Sequence, residues 1–280
     1  MSIPSLPELI DQVDTVLPVP SVAMQVVKLL DQPDSNVRDV ADVLAQDQGL
    51  TANVLKLANS AYYGMPRRVS LPVEAVALLG FKTVRSIVWS SVMEVLYNKP
   101  LVGYKLESGA LWEHSLAAAV IGKYLANSFK LKDPESFYVS GLLHDVGKLV
   151  LNIYLPVEFG KVIGLVEHGK TFSEAEKEVL GYDHAEIGGL ICDKWHLPEN
   201  IVDGVRYHHS PQEGSESARI THLSNAMALM MGYGSMGAAS MASSFDESVL
   251  YSFVSSEEEW LDILDKAEEQ VLLAMHATAF

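Results

Sequence analysis

Apolar residues recur at a period near 3.6 along this chain, and no stretch alternates apolar with polar residues for the length of a strand. Such a pattern gives each segment one apolar stripe, so the sequence predicts an all-α fold. Pro18 and Pro20 precede a stripe of Val22, Val26, Leu29 and Leu30, which Gln32-Pro33-Asp34 ends. Asn36 is suited to cap a second helix carrying Val37, Val40, Ala41 and Leu44, with Gln48-Gly49 as its stop. A third stripe holds Leu50, Val54, Leu57 and Ala58. Leu71-Pro72 then opens a helix through Leu79, and the apolar stretch from Val84 to Leu96 completes this half.

Asn98-Lys99-Pro100 marks a boundary, which divides the chain into a helical lobe over 1–100 and a second helical unit over 101–232. In the second unit a helix is expected around Trp112 to Leu125, and another opens at Asp133-Pro134. Ser173 with Glu176, and Asp183 with Glu186, read as capping boxes for two more. Leu197-Pro198 opens the next, and a further helix spans Arg219 to Met231. Residues 233–280 read as a flexible connector, rich in Gly, Ala, Ser and Met as far as Ser244, followed by an acidic helix. That helix has Ser256 and Glu259 as its capping box and a stripe of Trp260, Ile263, Leu264 and Val271. Residues 246–270 hold nine acids and one lysine, the composition of a solvated face docked by its stripe.

The chain has 280 residues, 49% of them hydrophobic, enough to bury a sizeable core. Its net charge of −16 opposes a polyanion, so no nucleic-acid partner is expected. Residues 67–85 run against that trend, with Arg67, Arg68, Lys82 and Arg85 facing one acid, Glu74. They form either an anion or partner surface or a basic solvated rim. Cys192 is the single cysteine, so no disulfide closes within the chain, which suits a reducing compartment. Neither a signal peptide nor an uncharged run of membrane-spanning length is evident, so a cytoplasmic protein without a membrane partner is expected.

Within Ser140–Val150, His144 and Asp145 are set among Leu142, Leu143, Val146 and Leu149. Burying such a pair is costly unless a cation or a hydrogen-bonded network compensates it. His114, His184, His208 and His209 are the other candidate metal ligands, and Asp145 could bridge two ions. Imidazole with carboxylate suits Fe, Mn, Ni, Zn or Mg. Lys148 follows Asp145 by three residues, where it either binds a substrate phosphate or pairs with Asp145. His168, His196, His222 and His276 are read as structural or surface residues.

Several motifs in fixed order resemble the HDOD family of bacterial signalling proteins over about residues 14–232. They are Leu17-Pro-Val-Pro-Ser21, Ala45-Gln-Asp-Gln-Gly-Leu-Thr51, Leu57-Ala-Asn-Ser-Ala-Tyr-Tyr-Gly64 and Leu78-Leu-Gly-Phe81 in the first lobe. His114, Gly141-Leu-Leu-His-Asp-Val-Gly-Lys148, Gly181-Tyr-Asp-His184, Trp195-His-Leu-Pro198 and Tyr207-His-His209 follow in the second. The resemblance implies an HD-like helical bundle packed on an N-terminal helical lobe. In related HD phosphohydrolases a His, a His-Asp doublet and a later Asp hold the metal. Here Asn225 stands where that later Asp is expected, as a weaker candidate ligand. HD-GYP phosphodiesterases add a second histidine set, which His184, His208 and His209 match in order. Ser210-Pro211-Gln212 follows the double His, however, and no Gly-Tyr-Pro occurs, which argues against cyclic-di-GMP hydrolysis. The favoured expectation is therefore a signal-transduction module that binds a signalling protein or a small phosphorylated ligand. The alternative is a metal-dependent phosphohydrolase, with Asp145 and Lys148 as its catalytic residues.

Overall fold

The computed structural model describes residues 3–154, 158–234 and 245–278. Its elements are helical, apart from a lone bridge between Leu101 and Leu106. The all-α expectation holds.

Short helices α1 (Leu6–Asp11) and α2 (Val13–Val16) lead into α3 (Ser21–Leu30), α4 (Val37–Leu44) and α5 (Gln48–Ala58). Asn36 caps α4, its side chain accepting from the Arg38 and Asp39 amides at 2.9 and 3.1 Å. A cap of this kind contributes about 1 kcal/mol. Gln48-Gly49 does not act as the stop the sequence suggested. Instead Asp47 accepts from the Leu50 amide at 2.9 Å, so these two residues open α5. A carboxylate able to satisfy first-turn amides outweighs a glycine placed where no intrahelical partner is needed.

Helix α6 (Pro72–Tyr97) is broken at Gly80, whose φ of 76° lies outside helical space, so the two stripes read from the sequence are its two arms. Among the described residues it alone is long and apolar enough to cross a membrane, yet 61% of its most apolar window is buried inside the protein. It packs as a core helix against α3, α4, α5 and the second half of the chain.

The second half is built on α7 (Ala110–Ser128) and α8 (Pro134–Leu143). They run antiparallel and close together, Gly122 lying against Phe137 and Gly141 against Ala118. After them come α9 (Gly147–Tyr154), α10 (Phe159–Glu167), α11 (Phe172–Leu180), α12 (His184–Lys194), α13 (Glu199–Arg206) and α14 (Glu216–Met230). A short α15 (Glu247–Leu250) and the terminal α16 (Glu257–Thr278) complete the described chain. One apolar core runs from Leu9 to Ala274. Across the seam between the two halves Trp89 stacks on Trp195 at 5.1 Å, and buried Glu135 accepts from Ser86 at 2.6 Å while pairing with Lys123 at 2.7 Å.

Three of the four bases in 67–85 are committed to acids: Arg67 to Glu74, Lys82 to Asp133, and buried Arg85 to Asp31. The region is thus mostly an ion-paired rim. Helix α16 lies on α7 and buries Ile263 and Val271 of its predicted stripe together with Ala267 and Ala274, while Trp260 and Leu264 are half-buried. Its Ser256 hydroxyl accepts from the Glu259 amide, but the Glu259 carboxylate reaches the Ser255 amide, one residue before the expected partner. Of the predicted connector, residues 235–244 lie outside the described residues. Gly232, Tyr233 and Gly234 form a turn, which the Gly232 and Tyr233 amides tie back to α14.

Candidate metal centre

Four segments deliver the candidate side chains to one place. His114 opens the second turn of α7, and the antiparallel α8 brings His144 back beside it. His144 and Asp145 themselves are not helical. They occupy the turn between α8 and α9, closed by a Val146 amide to Leu143 carbonyl bond of 2.9 Å. His184 is the first residue of α12, whose expected Asp183–Glu186 capping box is present. Gly147 lets α9 approach this point, since any Cβ there would run into the His184 carbonyl. His208 and His209 lie in the turn after α13.

Two groups result: His114 with His144 and Asp145, and His184 with His208 and His209, each with its donor atoms within 4.8 Å of one another. Asp145 faces both. Its Oδ2 is 3.4 Å from His144 Nε2 and 3.6 Å from His114 Nε2, while Oδ1 is 3.3 Å from His184 Nε2. His144, His184 and His208 are fully buried, and Asp145 and His114 nearly so.

The hydrogen bonds on the far side of each ring settle which nitrogen is bare. His144 Nδ1 donates to the Gly141 carbonyl at 2.7 Å, and His114 Nδ1 to the Tyr233 carbonyl at 3.2 Å. In the neutral rings both Nε2 atoms are therefore lone pairs, and they face each other at 3.1 Å. Lone pair against lone pair is repulsive unless a cation lies between them. Donors sharing a divalent ion with bonds of about 2.0–2.1 Å lie about 3 Å apart, so the spacing suits ligation. His208 repeats the pattern: Nδ1 donates to the Val205 carbonyl at 2.7 Å, leaving Nε2 buried without a hydrogen-bond partner among the described residues. His184 Nε2 and His209 Nε2 meet at 3.0 Å. The donor set fits a pair of divalent ions.

Electrostatics set His184 apart from the other rings whose shifts are resolved. Burial and the neighbouring His144 push His114 down to about 3, so it is neutral. Burial, with His209 and His144 next to it, lowers His208 well below the usual histidine range. For His184 burial acts in the same direction, but Glu176 overrides it and raises the ring. Burial would likewise raise Asp145, yet His144 and Lys148 hold its carboxyl well below the usual range. The site thus keeps one carboxylate ionised among largely neutral imidazoles, as metal ligation requires.

A cleft opens over the centre, lined by His114, Asp145, Lys148, His184, His209 and Asn225 among others. Lys148 Nζ is 2.6 Å from Asp145 Oδ2, the ion pair the sequence allowed, and it also stands 5.6 Å above the Tyr104 ring. His168, His196 and His276 are exposed, as expected.

The sequence pattern of the HDOD domain matches residues 16–211. The chain belongs to the HDOD family. The HDOD domain protein of unknown function from Geobacter sulfurreducens is 28% identical, covering 94% of this chain and 97% of its own, with a TM-score of 0.68. A candidate phosphohydrolase from Shewanella amazonensis SB2B is 25% identical over 96% of this chain and 94% of its own, with a TM-score of 0.70. An uncharacterised protein of Treponema pallidum shares 26% identity over 203 residues, which are 71% of this chain. The match spans only 39% of that protein's length.

Within this HDOD centre three supporting groups were not evident in the sequence. Glu176 is fully buried and takes the His184 backbone N–H at 2.8 Å and its Nδ1 at 2.7 Å. The other Glu176 oxygen accepts from the Tyr104 hydroxyl at 2.6 Å. Glu176 is therefore not half of a capping box: Thr171 and Glu174 cap α11, while Ser173 bonds to Asp183. Two overlapping Ser/Thr-x-x-Glu patterns compete here, and the pattern alone could not choose between them. His222 is the third group, donating to the His208 carbonyl at 2.9 Å and accepting from the Asp246 amide at 3.0 Å. The structural role expected of His222 is thus exercised directly under the centre.

Proposed function

We propose that this HDOD protein binds two divalent metal ions and hydrolyses a phosphoester in the cleft above them. The observation that carries this reading is Asp145, whose two oxygens each face a separate histidine group. With five imidazoles and no thiolate, the donors favour Mn, Fe, Ni or Zn over Mg. Ions held there lower the pKa of coordinated water and polarise a phosphoryl oxygen. The chain's own part is to fix the donors. Each far-side hydrogen bond sets a tautomer and a ring orientation, and Glu176 makes His184 a stronger donor. Lys148, paired with Asp145 here, would be the residue to hold a substrate phosphate if that carboxylate served as a metal ligand. Leu111, Phe172 and Leu229 give the cleft an apolar wall that would receive the alcohol side of the ester. Likeness to the Shewanella amazonensis protein supports the same chemistry.

The test is hydrolysis of p-nitrophenyl phosphate, its bis ester and a nucleotide panel by protein loaded with Mn, Fe, Ni or Zn. Metal-dependent turnover that disappears in His144→Ala is expected. Fully loaded wild-type protein without turnover on any ester contradicts hydrolysis. It would leave a second reading, a signalling module that holds metal and binds a partner or a small phosphorylated ligand. Asn225 favours that reading, because a neutral amide at the cleft adds no charge to the ligand set.

A further inference from the structure

We propose that Tyr233 and Gly234 form a strap that orients His114, so that the first metal position depends on chain downstream of the family-matched residues. The inference rests on the two-metal reading above. Helix α14 ends at Met230, with Met231 as its cap, in a double backbone closure, the Gly232 amide donating to Leu229 and the Tyr233 amide to Ala228, both at 3.0 Å. This is a helix ending that places a left-handed residue just past the cap, and Gly232 supplies it with φ 87°. Its consequence is directional: the Tyr233 carbonyl is aimed at His114 Nδ1, 3.2 Å away. That bond makes the opposite nitrogen, Nε2, the bare one that faces His144.

Gly234 also has a positive φ, 80°, but it does not close the helix. A Cβ at Gly234 would lie 2.6, 2.7 and 2.9 Å from His114 Cβ, Cγ and Nδ1, distances that force the ring or the strap to move. A Cβ at Gly232 meets nothing within 4 Å. The two glycines thus share a backbone conformation and differ in whether a side chain collides with a ligand. Gly234 also lines the cleft, so the strap is part of its wall. No other described glycine has a candidate-ligand ring among its nearest contacts.

The matched pair Gly234→Asn and Gly232→Asn separates positioning from folding. Asparagine tolerates the left-handed region, so both variants keep the backbone turn, and only the first carries the collision. Chelator-stripped wild type and both variants are titrated with Zn or Mn, and circular dichroism checks their folds. Two equivalents are expected for wild type and Gly232→Asn. Gly234→Asn should bind its first-position metal about 10–100-fold more weakly, with the second position unchanged. In the metal-free proteins, imidazole nitrogen NMR should show His114 with its proton on Nδ1 in wild type and Gly232→Asn, and lose that signature in Gly234→Asn. If Gly234→Asn does not fold, Gly234→Ala carries the same Cβ with less bulk. Two equivalents at wild-type affinity in the Gly234 variant overturn the strap and leave the two-metal reading standing. Loss of both metals in that variant also overturns it. Wild type that takes up no metal removes both.

Discussion

The two halves of the centre hold similar rings in dissimilar ways. At the first position, His114 and His144 are fixed by backbone carbonyls, Tyr233 and Gly141, and burial holds His114 neutral. At the second, His184 is fixed by a buried carboxylate, Glu176, itself held by the Tyr104 hydroxyl. Carbonyls orient a ring without adding charge, whereas a carboxylate also raises its basicity. The first position therefore depends on how helices and turns place their backbone. The second, where the Val205 carbonyl likewise sets His208, adds one ionisable side chain at His184, which substitution can reach directly.

The strongest break in this comparison is at the residue both positions share. Asp145→Ala removes the one carboxylate that faces both groups among the described residues, so metal uptake should fall from two equivalents to none in titration calorimetry, with any esterase activity lost. Retention of two metals would show that Asp145 is not a bridge. Next in size, His144→Ala should lose the first metal and keep the second, and His208→Ala the reverse. Elemental analysis of the two variants reads this directly, and identical losses would mean that there is one site rather than two. Glu176→Gln keeps the shape of the side chain but removes its charge. It should weaken the second metal about 10–100-fold while sparing the first. An equal effect at both positions would dissolve the distinction drawn here. The smallest change is expected from Asn225→Asp, which adds a carboxylate to the cleft and should tighten metal binding modestly, as a shift in the titration midpoint. Weaker binding in that variant would show that Asn225 does not face the ions.

What could be read from the sequence follows the same division. Helical periodicity located the elements because it is a local property, and even the break at Gly80 separates two stripes that were visible as such. The doublet His144-Asp145 stood out because its charge sits in an apolar run, and His114 because a short connection returns one helix along another. Glu176 could not be recognised, because nothing local distinguishes a capping glutamate from a buried one and its partner is eight residues away. Tyr233 was hidden for a different reason. It contributes a backbone carbonyl, which every residue has, and its partner lies 119 positions earlier. The Gly-rich composition around it suggested flexibility, whereas two of those glycines serve a helix ending and a close approach to His114.

The most direct test of the account is the number of metal ions that chelator-stripped wild-type protein takes up, by elemental analysis after exchange into Zn or Mn and removal of excess. Metal bound only by the folded state should also raise stability, by about 2.7 kcal/mol per position when free metal is 100-fold above Kd. The account predicts two equivalents per chain and an upward shift in Tm. A protein that retains no metal, with its Tm unmoved by Zn or Mn, would contradict it.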